Sequence, residues 1–209
     1  MLEKTLENLL KTALLPIGKT MYIYGGGWNE KDTGAGIEAM TLGIDPKWAE
    51  FAQKQDSSYN FKDYDYKQNK EYIHLGLDCS GYIGWLLYNI FQDKGYVDFS
   101  RKIANNLATE NKGKVKKAKY ITEYKAGDIM SGESVSHVWL SLGPCNDGSV
   151  VILHSSPSGV HISGTPTPKG IENSQAIDLA NEYMDRYYPV WNKKYPVKPF
   201  DYLGKYSQF

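Results

Sequence analysis

Cysteine is scarce in this sequence, with only Cys79 and Cys145 among 209 residues. Two thiols cannot build a disulfide framework, so stability has to come from a buried core. A chain of this length buries about 70% of the surface that its unfolded form exposes, which is sufficient for one well-formed domain. We therefore expect a single domain over residues 1–209.

An excess of charge of either sign is also lacking, because 24 Lys and Arg residues balance 24 Asp and Glu residues. A dedicated nucleic-acid-binding protein is usually visibly basic, so we expect no nucleic-acid partner. No apolar run approaches the ~20 residues that a membrane-spanning helix needs, and we expect no membrane span. Glu3 and Glu7 interrupt the N-terminal segment, which we do not expect to be a secretory signal; the localisation stays open.

What the sequence does contain is a strongly apolar segment, "LDCSGYIGWLLYN" at residues 77–89, with a cysteine near its start. Apolar residues recur there at helical spacing and form one stripe, namely Ile83, Leu86, Leu87, Ile90 and Phe91. Asp78 is a favourable N-cap, and Gly95 is expected to end the helix in a left-handed turn. Cys79 is therefore predicted to lie in the first turn of a helix that is anchored in the core.

A thiol in this position is suited to nucleophilic chemistry. The positive end of the helix dipole favours the thiolate, and a cationic histidine nearby favours it further, so that thiol pKa values fall to roughly 3.5–7.5 in such environments. The alternative interpretation is that Cys79 is a small hydrophobic residue at the end of the stripe. Cys145 falls in a predicted turn, and we expect it to be a spectator thiol.

The remaining segments predict the fold class. Leucines at helical spacing predict a first helix that stops at Pro16 and Gly18, and "KTMYIYGGG" predicts a short β-like run. Residues 27–77 are polar and tyrosine-rich, which indicates a long ordered loop or a small subdomain. Beyond Lys112, the segments "AKYITEY", "KAGDIM", "SHVWLSLG" and "SVVILHSS" predict consecutive strands, followed by a C-terminal edge strand and loops. A helix followed by antiparallel strands indicates an α+β architecture.

Two of the four histidines are predicted to meet on this sheet. Side-chain alternation assigns each of His137 and His154 to one face of its strand. If Gly143 pairs with Gly148 in a hairpin, the two histidines stand directly opposite each other on the same face. One histidine would then serve as a general base, and the other would fix its tautomer.

Four separated motifs resemble those of the NlpC family of papain-like cysteine peptidases, which act on bacterial cell-wall peptides. They are "YIYGG" at 22–26, "DCSGYIG" at 78–84, "KAGDIM" at 125–130, and "SHVWLSLG" with "ILHSS", and they occur in the family's order. The resemblance implies a papain-like fold, in which the nucleophile helix packs on the antiparallel sheet. It also implies one catalytic domain over 1–209, with an insertion at about 27–77 between the "YIYGG" and "DCSG" motifs.

The resemblance implies roles for six residues: catalysis by Cys79, His137 and His154, and substrate binding by Tyr22, Asp78 and Ser80. In the family pattern the cysteine is the nucleophile, the first histidine is the general base, and the second histidine orients the first. The implied reaction is hydrolysis of an amide bond in peptidoglycan stem peptides, between D-glutamate and the following diamino acid, through an acyl-enzyme. No metal or cofactor is implied, and the expected partner is a muropeptide bound by a monomer.

Two other classes of function would use the same residues. One is a related thiol acyltransferase or amidase with another amide substrate, and the other is a catalytically silent domain that binds the cell wall. A zinc site built from Cys79, His137 and His154 has no paired metal-ligand spacing to support it. His74 is interpreted as a structural or surface histidine, and His161 as the fallback orienting residue.

Overall fold

The computed structural model describes residues 3–27, 40–97, 104–105, 108–132 and 137–209. These ranges form a mixed α+β structure with an antiparallel sheet, which confirms the predicted α+β class. The α-helices that lie wholly within these ranges are α1 (Leu6–Leu14), α2 (Pro46–Gln53), α3 (Cys79–Phe91), α4 (Gln175–Tyr187) and α5 (Pro189–Lys194). The strands of these ranges are β1 (Ile129–Gly132), β2 (Val138–Pro144), β3 (Val150–Ser156), β4 (Gly159–Gly164) and β5 (Tyr206–Gln208). None of the described helices is long and apolar enough to cross a bilayer.

The chain divides into two compact units. The first comprises residues 1–99 and 155–161 and contains α1, α2 and α3. The second comprises residues 100–154 and 162–209 and contains β1, β2, β5, α4 and α5. Strands β3 and β4 each contribute residues to both units. One catalytic domain over residues 1–209 stays a prediction.

Helix α3 begins where it was predicted and ends earlier. The Asp78 side chain accepts a hydrogen bond from the Gly81 N–H at 2.8 Å and so caps the first turn. At the other end Gln92, with φ of 54°, adopts the left-handed conformation. The prediction that Gly95 ends the helix is therefore wrong. Asp93 accepts a hydrogen bond from the Gly95 N–H and starts a separate 3₁₀ helix, a local bond that competes with continuation of α3.

The "YIYGG" run was predicted to be β-like, and the structure corrects this. Met21 makes an isolated parallel bridge to Gly76, and residues 24–27 form a turn. Gly25 and Gly27 adopt φ of 81° and 83°, a region that glycine occupies without steric cost. The chain therefore turns before a strand can extend.

The described part of the predicted insertion, residues 40–77, is built from short helices. Asp45 caps α2 by accepting a hydrogen bond from the Lys47 N–H at 2.9 Å. Two 3₁₀ helices follow, Phe61–Tyr64 and Lys70–Leu75. Residues 28–39 of the insertion lie outside the described ranges.

The sheet has the strand order β4-β3-β2-β1-β5. Strand β1 pairs antiparallel with β2 and with β5, and β2 pairs antiparallel with β3. The predicted strand "AKYITEY" is wrong, because Ala118–Tyr120 is a 3₁₀ helix. Strand β5 already occupies the edge beside β1, and Lys116, two residues before the 3₁₀ helix, makes an isolated bridge to Gln208.

The C-terminal segment was predicted to hold an edge strand and loops. Strand β5 is that edge strand, but residues 189–194 form helix α5. The error has a physical reason: Pro189 occupies the first turn of α5, where its missing N–H costs no intrahelical hydrogen bond. Proline therefore starts a helix here instead of excluding one.

Candidate functional site

The Asp78 carboxylate joins the glycine turn at residues 24–27 to the start of α3. It accepts hydrogen bonds from the Gly25 N–H at 3.2 Å, the Gly81 N–H at 2.8 Å and the Ser80 hydroxyl at 3.0 Å. Only 2% of the Asp78 residue surface is exposed, so these bonds offset the cost of burying the carboxylate. The family resemblance implied substrate binding by Asp78 and Ser80, and in the structure both take part in holding the turn against the helix.

Glycines allow the turn and the helix to approach at backbone distance. A Cβ atom on Gly81 would lie 2.0 Å from the Gly26 carbonyl oxygen, and one on Gly26 would lie 2.3 Å from the Gly76 carbonyl oxygen. No larger side chain fits at either position without moving the backbone. The glycines of "YIYGG" and "DCSG" are therefore required by the same close backbone contact. This contact places Tyr22 and Cys79 in the same part of the first unit.

Cys79 is the first residue of α3 and is 8% exposed. At this position it lies within the positive end of the helix dipole, which stabilises a thiolate. The sulfur interacts electrostatically with Tyr22, whose side chain is half-buried. Burial in the first place, and then negative charge on Cys79 and Asp78, raise the pKa of Tyr22 well above its ordinary value. The phenol therefore stays protonated and can act as a hydrogen-bond donor beside the sulfur.

The insertion packs directly on Tyr22. The Tyr59 hydroxyl donates a hydrogen bond to the Tyr22 carbonyl oxygen, and the Phe61 ring packs edge-on to the Tyr22 ring with centroids 5.2 Å apart. Behind these contacts lies an aromatic cluster made by Phe51, Tyr59, Tyr64 and Tyr72. Sequence reasoning recognised the tyrosines but had no signal for this contact.

The second unit holds the predicted pair of histidines. His137 Nε2 lies 3.1 Å from His154 Nδ1, and the two rings are nearly perpendicular, at 80°. His154 is fully buried, whereas His137 is half-buried. Because burial disfavours a charged imidazole, a positive charge on the pair is better accommodated on His137.

The predicted hairpin register is wrong, although the predicted pairing of the rings is confirmed. Ser141 pairs with Ile152 and Leu140 with Leu153, so the register, continued, sets His154 opposite Trp139 and diagonal to His137. Diagonal neighbours on one face are within reach of ring side chains. The two histidines therefore meet across a diagonal and not directly opposite each other.

Two deviations produce this register. The turn lies further along the chain than predicted, since Pro144 pairs with Val150 and the Cys145 N–H donates to the Ser149 carbonyl oxygen at 2.7 Å, which displaces the pairing by three residues. A bulge between Ser141 and Gly143 then shifts the ladder by one residue. Together they displace the pairing by two residues, an even number, which preserves the face on which each histidine lies.

Aromatic residues from the C-terminal segment surround the histidine pair. The centroid of the Phe200 ring lies 4.4 Å from that of His154. The centroid of the Tyr202 ring lies 5.2 Å from that of His137 and 5.9 Å from that of His154. Sequence reasoning missed both residues. No periodicity in "VKPFDYLGKY" assigns its side chains to a face, so the sequence carried no signal that could have found them.

The other candidate residues have defined surroundings. His161 is buried in β4, with Nε2 3.2 Å from the Ser156 hydroxyl oxygen, and His74 is half-buried in the 3₁₀ helix Lys70–Leu75. Cys145 lies just after β2, where partial burial raises the pKa of its thiol. Among the described residues, no group of three or more His, Cys, Asp or Glu side chains is placed to hold a metal ion.

The first unit holds a helix-terminal thiol with a neutral phenol beside it, and the second unit holds an imidazole hydrogen-bonded to a second, buried imidazole. Thiols and imidazoles are residue types that nucleophilic catalysis uses. Comparisons of the chain with protein-family models, with curated proteins and with solved structures found no significant match.

Proposed function

We propose that the protein is a cysteine peptidase or amidase with a papain-like arrangement, which hydrolyses amide bonds in peptidoglycan stem peptides. The preferred bond in this proposal is the one between D-glutamate and the following diamino acid. The observation that carries the proposal is the His137–His154 pair, with Nε2 and Nδ1 at 3.1 Å. The position of Cys79 at the start of α3 and the four ordered motifs support it.

The base in this proposal is Nδ1 of His137, since Nε2 of the same ring is engaged by His154. A His137 ring that donates its Nε2–H to His154 Nδ1 has an unprotonated Nδ1. In this proposal Nδ1 of His137 takes the proton from the Cys79 thiol, and the resulting thiolate attacks the carbonyl carbon of the substrate. The protonated ring then delivers the proton to the departing amine as the C–N bond breaks, which leaves a thioester on Cys79.

Water completes the reaction. The His137 ring accepts a proton from water, and the hydroxide adds to the thioester carbonyl. The C–S bond then breaks, the protonated ring returns its proton to the departing sulfur, and the carboxylic acid is released as the Cys79 thiol is restored. The negative oxygen formed in each addition needs donors. The backbone N–H of Cys79, at the start of α3, and the neutral phenol of Tyr22 are assigned this role.

Incubation with purified muropeptides, followed by mass analysis of the fragments, tests the proposal. We expect cleavage by the native protein and by Cys145→Ser, and none by Cys79→Ser or after alkylation. Activity should persist in EDTA, since the proposed step uses a thiol and not a metal. Loss of activity on chelation with recovery on zinc addition would overturn the mechanism.

The same experiment separates the other functions. Transfer of the acyl group to an added amine, without hydrolysis, would identify an acyltransferase. Binding of muropeptides without any new fragment would identify a recognition domain. The proposal also requires His137 to act on the thiol, so the rate at which iodoacetamide alkylates Cys79 at neutral pH should fall in His137→Ala; an unchanged rate would count against it.

A further inference from the structure

The segment between α5 and β5 is anchored at opposite edges of the sheet. At one end the Phe200 N–H donates to the Gly164 carbonyl of β4 at 3.0 Å, and the Ser163 hydroxyl donates to the Lys198 carbonyl. At the other end the segment continues into β5, whose Tyr206 pairs with Gly132 of β1. In the order β4-β3-β2-β1-β5 these are the two outer strands.

The segment therefore crosses the sheet. Four inter-strand spacings of about 4.8 Å separate the outer strands, or roughly 19 Å in all. The seven residue steps from 199 to 206 span at most about 23–25 Å when extended, which is sufficient for the crossing. Two turns lie within the segment, since the Tyr202 N–H donates to the Phe200 carbonyl oxygen at 3.0 Å and the Lys205 N–H donates to the Tyr202 carbonyl oxygen at 3.3 Å. A segment that is fixed at both ends and bonded internally holds its side chains in defined places.

Two of those side chains contact the histidine pair. The Tyr202 ring is tilted by 33° against His137 and is nearly perpendicular to His154, at 77°. The Phe200 ring is perpendicular to His154, at 81°, and stacks on Tyr202 with centroids 5.4 Å apart. The two rings thus pack on both imidazoles at once.

We propose that Tyr202, supported by Phe200, is a positioning residue that fixes the orientation and the tautomer of the histidine pair. An imidazole that rotates about its Cβ–Cγ bond loses the contact between His137 Nε2 and His154 Nδ1, and rings packed on two sides oppose that rotation. The face of a tyrosine ring also stabilises a cation, which favours the imidazolium that forms during proton transfer. The expected effect on turnover rests on the proposed function, whereas the expected effect on the orientation and tautomer of the histidine rings does not.

The test uses three variants of the full chain. Tyr202→Leu removes the ring, and Tyr202→Phe keeps it. Tyr124→Leu is the matched control, because Tyr124 belongs to the same aromatic cluster but stacks on Trp139, with centroids 6.4 Å apart. The first measurement is the ¹⁵N NMR signal pair of the His137 ring in the free protein, which reports the tautomer. The second is turnover of a muropeptide.

We expect Tyr202→Leu to change the His137 signals toward a mixture of tautomers and to lower kcat about 10- to 100-fold with little change in KM, as small misplacements of catalytic groups do. Tyr202→Phe should keep the native signals and retain kcat within about twofold, because the ring at position 202 persists. Tyr124→Leu should do the same, because the contacts of Tyr202 with both histidines persist. A folded Tyr202→Leu variant with native His137 signals would overturn the proposal, as would a Tyr202→Phe variant that loses the native signals.

The NMR measurement keeps this inference separate from the proposed function. If the native protein cleaves no muropeptide but Tyr202→Leu changes the His137 signals, the positioning role stands and the proposed function fails. If Tyr202→Leu does not fold, Tyr202→Phe and Phe200→Leu decide. Native His137 signals in Tyr202→Phe together with altered signals in Phe200→Leu support the positioning role. Native signals in both variants contradict it.

Discussion

At the residue scale, the two cysteines are expected to differ in thiol reactivity, in the order opposite to the one that their exposure alone would predict. Cys79 is 8% exposed, while Cys145 is half-buried. Partial burial raises the pKa of the Cys145 thiol, and the nearby Asp147 carboxylate raises it further, whereas Cys79 lies at the positive end of α3. Chemical activation and accessibility therefore predict opposite orders of reactivity.

We expect iodoacetamide to alkylate Cys79 at pH 7 at least about 10-fold faster than Cys145, because the thiolate is the reacting form. The rate at Cys145 should rise as the pH increases through its raised pKa, since more of that thiol is then ionised. Peptide mass analysis of timed samples measures both rates in one reaction. Equal rates at pH 7, or faster labelling of Cys145, would contradict the nucleophile assignment.

The histidines are predicted to be unequal. His137→Ala should lower kcat by about 10²–10⁴-fold, the usual contribution of a general acid–base group. His154→Gln and His154→Asn should retain part of the activity, because an amide can still bond to the His137 ring, and His154→Ala should be worse than either. His161→Ala is the control: His161 bonds to Ser156, so its loss should lower stability more than kcat per folded molecule. Steady-state kinetics on folded protein, checked by circular dichroism, decides this order; equal activity in all three His154 variants would contradict it.

At the element scale, the start of α3 depends on close backbone packing. Gly81→Ala would put a methyl group 2.0 Å from the Gly26 carbonyl oxygen, which belongs to the backbone and cannot rotate away. We expect the free energy of unfolding to fall by about 3 kcal/mol. Urea denaturation measures this change.

Gly95→Ala is the matched control for that substitution. Its methyl group would lie 3.1 Å from the end of the Asp93 side chain, which can move. Its cost should be within about 0.5 kcal/mol. Equal losses in the two variants would show that helix α3 and the glycine turn are not packed as described.

The insertion is expected to act on substrate through Tyr22. Phe61→Ala removes the ring that packs on Tyr22, so KM for a muropeptide should rise, while the alkylation rate of Cys79 should change little. Lys62→Ala, on the same 3₁₀ helix and exposed, is the control and should leave both quantities unchanged. A change in Cys79 alkylation as large as the change in KM would mean that the insertion supports the thiol instead of the substrate.

At the scale of the whole molecule, the chain passes between the two compact units inside two strands. Residues 150–154 of β3 belong to the second unit and 155–156 to the first, and β4 is divided in the same way at residue 161. A unit that shares continuous strands with another cannot unfold without breaking those strands. We therefore expect one cooperative thermal transition, with equal calorimetric and van't Hoff enthalpies. Two resolved transitions in a calorimetric scan would contradict the single domain predicted over residues 1–209.

The sequence by itself determined the features that depend on neighbours along the chain. Asp78 was identified as the cap of α3 and Cys79 as a residue of its first turn, because capping needs only a side chain that reaches two or three residues ahead. The face to which each of His137 and His154 belongs along its own segment was also determined, because side chains of an extended chain alternate with period two. That the two histidines share one face was decided by the register: the displaced turn and the bulge each change it by an odd number of residues, and together by an even number.

Only the tertiary structure decided the features that join distant segments. The Gly26 carbonyl approaches Gly81, Tyr59 bonds to Tyr22, and Phe200 and Tyr202 pack on the histidine pair. Each of these contacts depends on where two segments meet in space, which local periodicity does not encode. The C-terminal segment shows the reason most directly: its rings lie against the histidines because its ends are fixed at opposite edges of the sheet, and that condition exists only after the sheet has formed.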